Sequence, residues 1–246
     1  MGFESINNFI ERKNKIEQKR PKLEMFFNLI TIDGVDGAGK DTIAKYVKEQ
    51  LSVKYPHKVV SIVDITHFSG SLKQERLKDF KDSGKISKDN FDKLYTAGLN
   101  RAYEEVVLPK IEADEIVIIP RSEVNLLRYA YQKENKEMIE NRINNIEDGT
   151  MSHKTIPGNR IFINVDPETQ MHYLDSRGNL SEYDPKNIEE SNLMVESQKK
   201  AFSFIKENKP VDQNIIIFDN KEQDHKSLDE YLRQSAKEIV SKIYIK

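Results

Sequence analysis

The chain contains no cysteine. That excludes disulfides, a thiol nucleophile and cysteine-ligated zinc. No apolar run approaches the ~18 residues that a membrane-spanning helix needs. The opening MGFESINNFIERKNK has no apolar core of the kind that marks a secretory signal. CaaX and twin-arginine patterns are absent as well. There is no surplus of positive charge: 39 Lys and Arg stand against 41 Asp and Glu, a formal net charge of −2. Composition therefore makes no case for a nucleic-acid partner. The five histidines, His57, His67, His153, His172 and His225, form no i,i+4 pair and sit near no carboxylate cluster of metal spacing. They read as ordinary surface or half-buried side chains. The expectation is a cytoplasmic protein with neither a membrane nor a nucleic-acid partner.

What is present is a chain of 246 residues, 37% hydrophobic and 33% charged, long enough to bury a sizeable core. Residues 1–25 place Phe3, Ile6, Ile10 and Ile16 at near-helical spacing, which predicts an N-terminal amphipathic extension interrupted near Pro21. From residue 26 to 246 strand and helix patterns alternate. Short apolar runs at 26–33, 58–65, 115–120, 161–166 and 214–219 suit buried parallel strands. Helical patterns fill 39–53, 71–80, 87–111, the stretch after strand three to about Glu147, 188–207 and 226–244. The Gly- and Pro-containing stretch 148–160 reads as a loop, and Pro167 suits the first turn of a helix. The polar, turn-rich stretch 175–187 reads as an excursion. Five such strands alternating with helices predict an α/β domain built on a parallel sheet flanked by helices.

The segment ITIDGVDGAGKDTIAKYV fits the pattern G-x-x-x-x-G-K at Gly34, Gly39 and Lys40. It follows an apolar strand and opens an amphipathic helix, the setting in which that pattern binds phosphate. Glycines let backbone N–H groups converge on phosphate oxygens. The helix N-terminus and Lys40 add positive charge. Gly34, Gly37, Ala38, Gly39, Lys40, Asp41 and Thr42 are the expected ATP-binding residues. Asp41 stands where such loops carry the Ser or Thr hydroxyl that ligates Mg²⁺. Its carboxylate either ligates the metal, directly or through water, or weakens triphosphate binding by its charge.

Taken together, the segments resemble the thymidylate kinase family of nucleoside monophosphate kinases. The resemblance runs from about Phe27 to the C-terminus. It is carried by IDGVDGAGK, by VIIPRSEVNLLRYAYQ after strand three, by FINVDPETQ at the end of strand four, and by DSRGNLSEYD with NLMVESQKKAF. It implies a three-layer P-loop NTPase sandwich with a five-stranded parallel sheet and a short lid at about 175–187. It also implies ATP and Mg²⁺ as cofactors, a nucleoside monophosphate as acceptor, and a homodimer. Phosphoryl transfer needs alignment of two phosphates and cations around the moving group. Lys40, Arg121 and Arg177 are the candidate catalytic cations. Arg177 is the lid arginine to be expected where position 37 of the loop is Gly. By resemblance Asp36 faces the acceptor's sugar and reaction centre, and Arg101 holds the acceptor's phosphate. Phe68, Tyr95 and Gln132 are further acceptor-side candidates. Structural readings stand beside these: a salt bridge for Arg121, an exposed loop arginine for Arg177, an ion-paired helix residue for Arg101, and a core position for Tyr95.

Three departures from the family pattern matter. Asp41 replaces the hydroxyl. Pro120 replaces an Asp that helps hold the metal. DITHFSGS after strand two replaces Thr-Arg-Glu-Pro-Gly-Gly and loses an acceptor-binding arginine. The first two suggest that the metal's carboxylate has moved from position 120 to position 41. Two alternatives stay open: a deoxynucleoside kinase, since PRS is similar to that group's Glu-Arg-Ser, and a non-catalytic nucleotide-binding regulatory protein.

Overall fold

The computed structural model describes residues 23–65, 88–150, 152–178, 184–220 and 228–245. The expected N-terminal extension, apart from its last residues, and the helix at 71–80 lie outside these. Five strands, β1 (Glu24–Asp33), β2 (Val60–Ile62), β3 (Ile116–Pro120), β4 (Thr155–Val165) and β5 (Asn214–Asn220), form one sheet. Its order is β2-β3-β1-β4-β5, and every neighbouring pair is parallel. The helices are α1 (Lys40–Lys54), α2 (Lys88–Ala102), α3 (Leu108–Glu112), α4 (Val124–Gln132), α5 (Lys136–Glu147), α6 (Pro167–Arg177), α7 (Ile188–Glu207) and α8 (Leu228–Lys242).

Side chains alternate across a strand, so a sheet covered on both faces needs apolar residues at odd and even positions alike. Ile30, Ile32, Ile116, Ile118, Ile161 and Ile163 pack on one face, against Ile43, Val47 and Leu51 of α1 and Leu232, Ala236 and Ile239 of α8. Leu29, Val117 and Ile119 point to the other face and meet Tyr103, Val107 and Ile111. On that face Phe162 stacks on Phe202 of α7 with ring centroids 4.0 Å apart. The central position of β1, flanked by β3 and β4, puts the loop after it at the switch point of the sheet. In open α/β sheets ligands bind there, beyond the C-terminal strand ends.

The elements differ from expectation in four places. The strand expected over 58–65 shortens to Val60–Ile62, because it is an edge on which Ile62 is exposed. The helix expected over 87–111 widens into a π turn at Tyr103–Val107, where the Leu108 N–H reaches Tyr103 O. Pro109 follows directly; its missing N–H and its ring disfavour ordinary α-helical bonding at this point. The long helix after strand three breaks at Glu134, whose φ is 49°. It restarts at Asn135, which caps α5 by accepting from the Met138 N–H at 3.0 Å.

The fourth difference is that the loop expected over 148–160 becomes strand from Thr155 onward. Glu24, Met25 and Phe26 pair with Thr155, Ile156 and Pro157; the register then slips before Ile30 meets Asn159. Proline and glycine in a strand mark such irregularities. Asn159 Nδ2 repairs the gap by donating to Phe27 O at 2.8 Å. A Cβ on Gly158 would lie 2.6 Å from Phe27 Cα and 2.8 Å from Phe26 O. Both neighbours are backbone and cannot rotate away. Gly158→Ala should therefore lower the unfolding free energy by roughly 1–3 kcal/mol, read as a shift of the urea midpoint. An unchanged midpoint would show that the bulge relaxes freely.

Candidate active site

The loop between β1 and α1 is shaped by its glycines. Gly37 and Gly39 have φ near 83° and 82°, the left-handed region. Gly34 presses against β4: a Cβ there would meet Ile163 O at 2.9 Å. The Ala38 N–H donates to Val35 O at 3.1 Å and tightens the turn. Gly39 then caps α1, whose N-terminus carries partial positive charge. Lys40 is buried, with its Nζ donating to Val35 O at 2.7 Å and lying 3.4 Å from Asp36 Oδ1. A side chain at position 37 would strike Leu174 Cγ at 2.9 Å and Gln170 O at 3.1 Å. The packing of α6 against the loop thus leaves no room there for a loop arginine.

Two side chains not singled out from the sequence brace this loop. Gln170 of α6 donates to Asp36 O at 2.6 Å and accepts from Ser191 Oγ at 2.6 Å. Asn220, the last residue of β5, donates to Ala38 O at 3.1 Å. Both are fully buried amides, and neither carries a local sequence signal.

Arg121 leaves the end of β3 with a φ of 102°, rare for a residue with a side chain. Its Nη1 and Nη2 each lie 2.9 Å from one Asp41 oxygen, a fork-on-fork pair. Burial lowers the Arg121 pKa, but Asp41, and then Asp36 and Asp64, raise it above its ordinary value overall. The salt-bridge reading of Arg121 is therefore present in the structure, and its partner is the anomalous residue of the loop. Asp41 itself is two-thirds exposed (66%).

Asp36 lies at the centre of a cluster of cations. Burial pushes its carboxyl up, but Lys40, Arg128 and Arg121 together hold it down at about 2. Burial lowers the Lys40 pKa, and Asp36 opposes the fall. Arg128, on α4, was missed by sequence reasoning because a lone arginine in a helix carries no signal of its own.

Beneath the loop, Asp33 closes β1. Its Oδ1 accepts from the Ser122 N–H and its Oδ2 from Ser122 Oγ, both at 2.8 Å. Beside it Arg160 of β4 donates to Glu123 Oε1 at 2.6 Å, both side chains being buried. Burial raises the Asp33 carboxyl to about 6, against the pull of Arg160 and of the Ser122 amide and hydroxyl.

The other expected residues fall as follows. Thr42 is half-buried in the first turn of α1. Arg177 ends α6 rather than lying in a loop, because Gly178 is the first residue to turn left-handed, at φ 74°. It is ion-paired with the buried Asp184. Arg101 is more than half exposed and is ion-paired with Glu105, one turn further along. Tyr95 is partly buried against the cluster of Leu29, Ile65 and Leu99. Gln132 accepts from Arg128 Nη1 at 3.1 Å. Phe68 lies outside the described residues. Among the described residues no group of three or more His, Cys, Asp or Glu is arranged to hold a metal ion. A magnesium nucleotide needs less than that, since phosphates and water supply most ligands. The accessible Asp41 carboxylate at the start of α1 is compatible with that role. No described helix is long and apolar enough to cross a membrane.

A phosphate loop on the central strand of a five-stranded parallel sheet, with arginines at the neighbouring strand end, defines the class of P-loop phosphotransferases. The profile of the thymidylate kinase family matches residues 32–230. A thymidylate kinase of Mycoplasmopsis agalactiae is 30% identical over 200 residues, covering 72% of this chain and 80% of that protein. A probable thymidylate kinase of Methanosarcina barkeri is 28% identical over 159 residues, covering 63% and 74%. The crystal structure of thymidylate kinase from Ehrlichia chaffeensis has the same fold, with a TM-score of 0.54 at 17% identity, covering 88% of this chain and 97% of that one. The chain belongs to the thymidylate kinase family, whose members are ATP-dependent phosphotransferases.

Asp33 makes a pH prediction. Its folded pKa lies above the ordinary 3.8, so between about pH 4 and 6 the folded protein keeps a proton that the unfolded chain releases. Stability from this group is therefore greatest below that window and falls as pH rises through it. The change is of order 2–3 kcal/mol. Asp36 acts in the opposite sense, losing its contribution only as pH falls from about 4 towards 2. Urea unfolding of wild type and Asp33→Asn from pH 4 to 7 should show a falling difference in the wild type that the variant lacks. Parallel curves would refute it.

Proposed function

We propose that this protein transfers the γ-phosphoryl group of ATP to the 5′-phosphate of dTMP or a related deoxynucleoside monophosphate. The observation that carries the reading is the buried Lys40 held at the start of α1 between Val35 O and Asp36, with Arg121 on the adjoining strand end. In the reaction an oxygen of the acceptor phosphate forms a bond to the γ-phosphorus. The bond from that phosphorus to the β–γ bridging oxygen breaks, and ADP leaves. Protein groups contribute position and charge rather than covalent chemistry.

Loop amides and Lys40 cradle the donor phosphates. Arg121 exchanges one Asp41 oxygen for a phosphate oxygen and bridges towards the acceptor. Arg177 exchanges Asp184 for the transferring group. Asp36 meets the acceptor's sugar, with Arg101, Tyr95, Phe68 and Gln132 on the acceptor side. Asp41 is the protein carboxylate that would hold Mg²⁺ brought with the nucleotide, and the ion would neutralise phosphate charge there. The reading needs only small-molecule substrates in the cytosol, without nucleic acid or membrane.

A panel of nucleosides and nucleoside monophosphates, with ATP consumption as readout, tests the reaction. Turnover is expected with deoxynucleoside monophosphates, and Lys40→Ala should reduce it by roughly 10²–10³-fold. Activity on nucleosides alone would make the protein a nucleoside kinase, and ATP binding without any turnover would make it a regulatory relative. Asp41→Ser should lower Mg²⁺-dependent turnover roughly 10–100-fold. Equal or higher activity in that variant would show that the metal's carboxylate is not at position 41.

A further inference from the structure

One face of α4 carries polar groups that the fold does not use. Val124, Leu127 and Ala130 turn into the core and are fully buried. Asn125, Arg128 and Gln132 follow at i, i+3 and i+7, so they line up along a neighbouring face. Among the described residues, Asn125 Nδ2 and Arg128 Nε are both buried donors with no acceptor. The one hydrogen bond the Arg128 guanidinium makes there is to the neutral Gln132 Oε1, at 3.1 Å. Buried polar groups are nearly always satisfied, and an unsatisfied pair beside a ligand site points to acceptors that a ligand brings.

Charge narrows the identity of those acceptors. The carboxylate whose field reaches Arg128 is Asp36, and Asp36 already faces the buried Lys40. Burial lowers the Arg128 pKa, so the guanidinium is short of stabilisation where it stands. A base carbonyl would satisfy a hydrogen bond and leave the charge uncompensated. A phosphate supplies both at once, through charge-assisted bonds to a planar fork.

We propose that Arg128, supported by Gln132 and flanked by Asn125, is the residue on α4 that binds the 5′-phosphate of the acceptor nucleotide. This rests on the reading of the protein as a nucleoside monophosphate kinase. Bound there, the acceptor phosphate would lie near Lys40 and Arg121, whose charges, with that of Arg128, offset the repulsion of Asp36.

Calorimetric binding without ATP tests it, using dTMP and thymidine on wild type, Arg128→Met and Arg128→Lys. Wild type should bind dTMP more tightly than thymidine. Arg128→Met should weaken dTMP binding about 10–100-fold and leave thymidine binding unchanged, while Arg128→Lys recovers part of the loss. Equal weakening of both ligands would assign Arg128 to the base or sugar and overturn the proposal, as would unchanged dTMP binding. Thermal unfolding midpoints of both variants show whether a loss reflects the site rather than the fold; a loss in Arg128→Met that the folded Arg128→Lys does not relieve also counts against it. If wild type binds no monophosphate in the wider panel, the kinase reading itself falls and takes this inference with it. A wild type that binds dTMP beside an Arg128→Met that binds it equally well overturns the inference alone.

Discussion

The active site depends on one carboxylate under the phosphate loop. Asp33 ends the central strand and holds both the amide and the hydroxyl of Ser122, the residue after Arg121. Those two bonds lock the exit of β3 to the exit of β1. The Arg121 amide adds a third tie by donating to Ile32 O at 3.0 Å. The backbone of Arg121 is thereby held in a conformation that it would not choose alone, and its side chain is aimed at the first turn of α1. Strained backbone persists where the surroundings over-determine it, and these three bonds do so. The pair of Arg160 and Glu123 completes the buried network and keeps a neighbouring positive charge near Asp33. The phosphate loop and Arg121 are thus placed by a single corner of the sheet.

Above that corner the electrostatics are arranged in two layers. The inner layer pairs buried Lys40 with Asp36; the outer pairs Arg121 with Asp41. A buried cation without a partner costs several kcal/mol, so Asp36 is what allows Lys40 to wait charged inside the loop. The outer pair is more exposed and is screened by water, so less would be lost if, as proposed, a phosphate took the place of the carboxylate. This ordering separates a buried internal pair from a more exposed one that the proposed reaction would exchange. It also explains why an acidic residue is tolerated at the start of α1. A carboxylate in the first turn interacts favourably with the helix dipole, and here it has an arginine of its own.

The parallel sheet, its five strands and the phosphate loop were legible because each is written locally. Apolar runs of strand length and G-x-x-x-x-G-K need only neighbours in sequence to be recognised. The extension of β4 back to Thr155 was not, since Pro157 and Gly158 are turn residues everywhere except at a bulge, and the bulge is created by β1. The break at Glu134 was hidden within a continuous helical pattern, although Asn135 was the cap that announced it. Within the site Lys40 was identified from its motif, Arg121 from its position at the strand end and Asp36 by resemblance, and the structure brings them together. Gln170 and Asn220 were missed because their importance lies in contacts across 134 and 182 residues that no local pattern encodes, and Arg128 because a lone arginine in a helix carries no signal of its own. Arg101 and Tyr95 were carried by resemblance alone. The structure gives the first a helical partner in Glu105 and packs the second against the core.

Bringing a metal ion to this site leaves the protein few choices. Position 120 is a buried proline paired with Ile32, so the end of β3 offers no carboxylate there. Asp33 is enclosed, spends both oxygens on Ser122 and favours its protonated form up to about pH 6. Asp36 is ionised at any physiological pH, but Lys40, Arg128 and Arg121 surround it, and a divalent cation entering among them would meet their repulsion. Asp41 alone of the three is largely exposed, and in the proposed reading the arginine that holds it has phosphates to go to. Its two oxygens can divide between Arg121 and a metal without either being buried unpaired. The acid at position 41 therefore need not oppose the polyphosphate. With Mg²⁺ bound as proposed, it would face a positive ion rather than a phosphate, and the departure from the loop's usual hydroxyl would be a change of ligand rather than a loss of one.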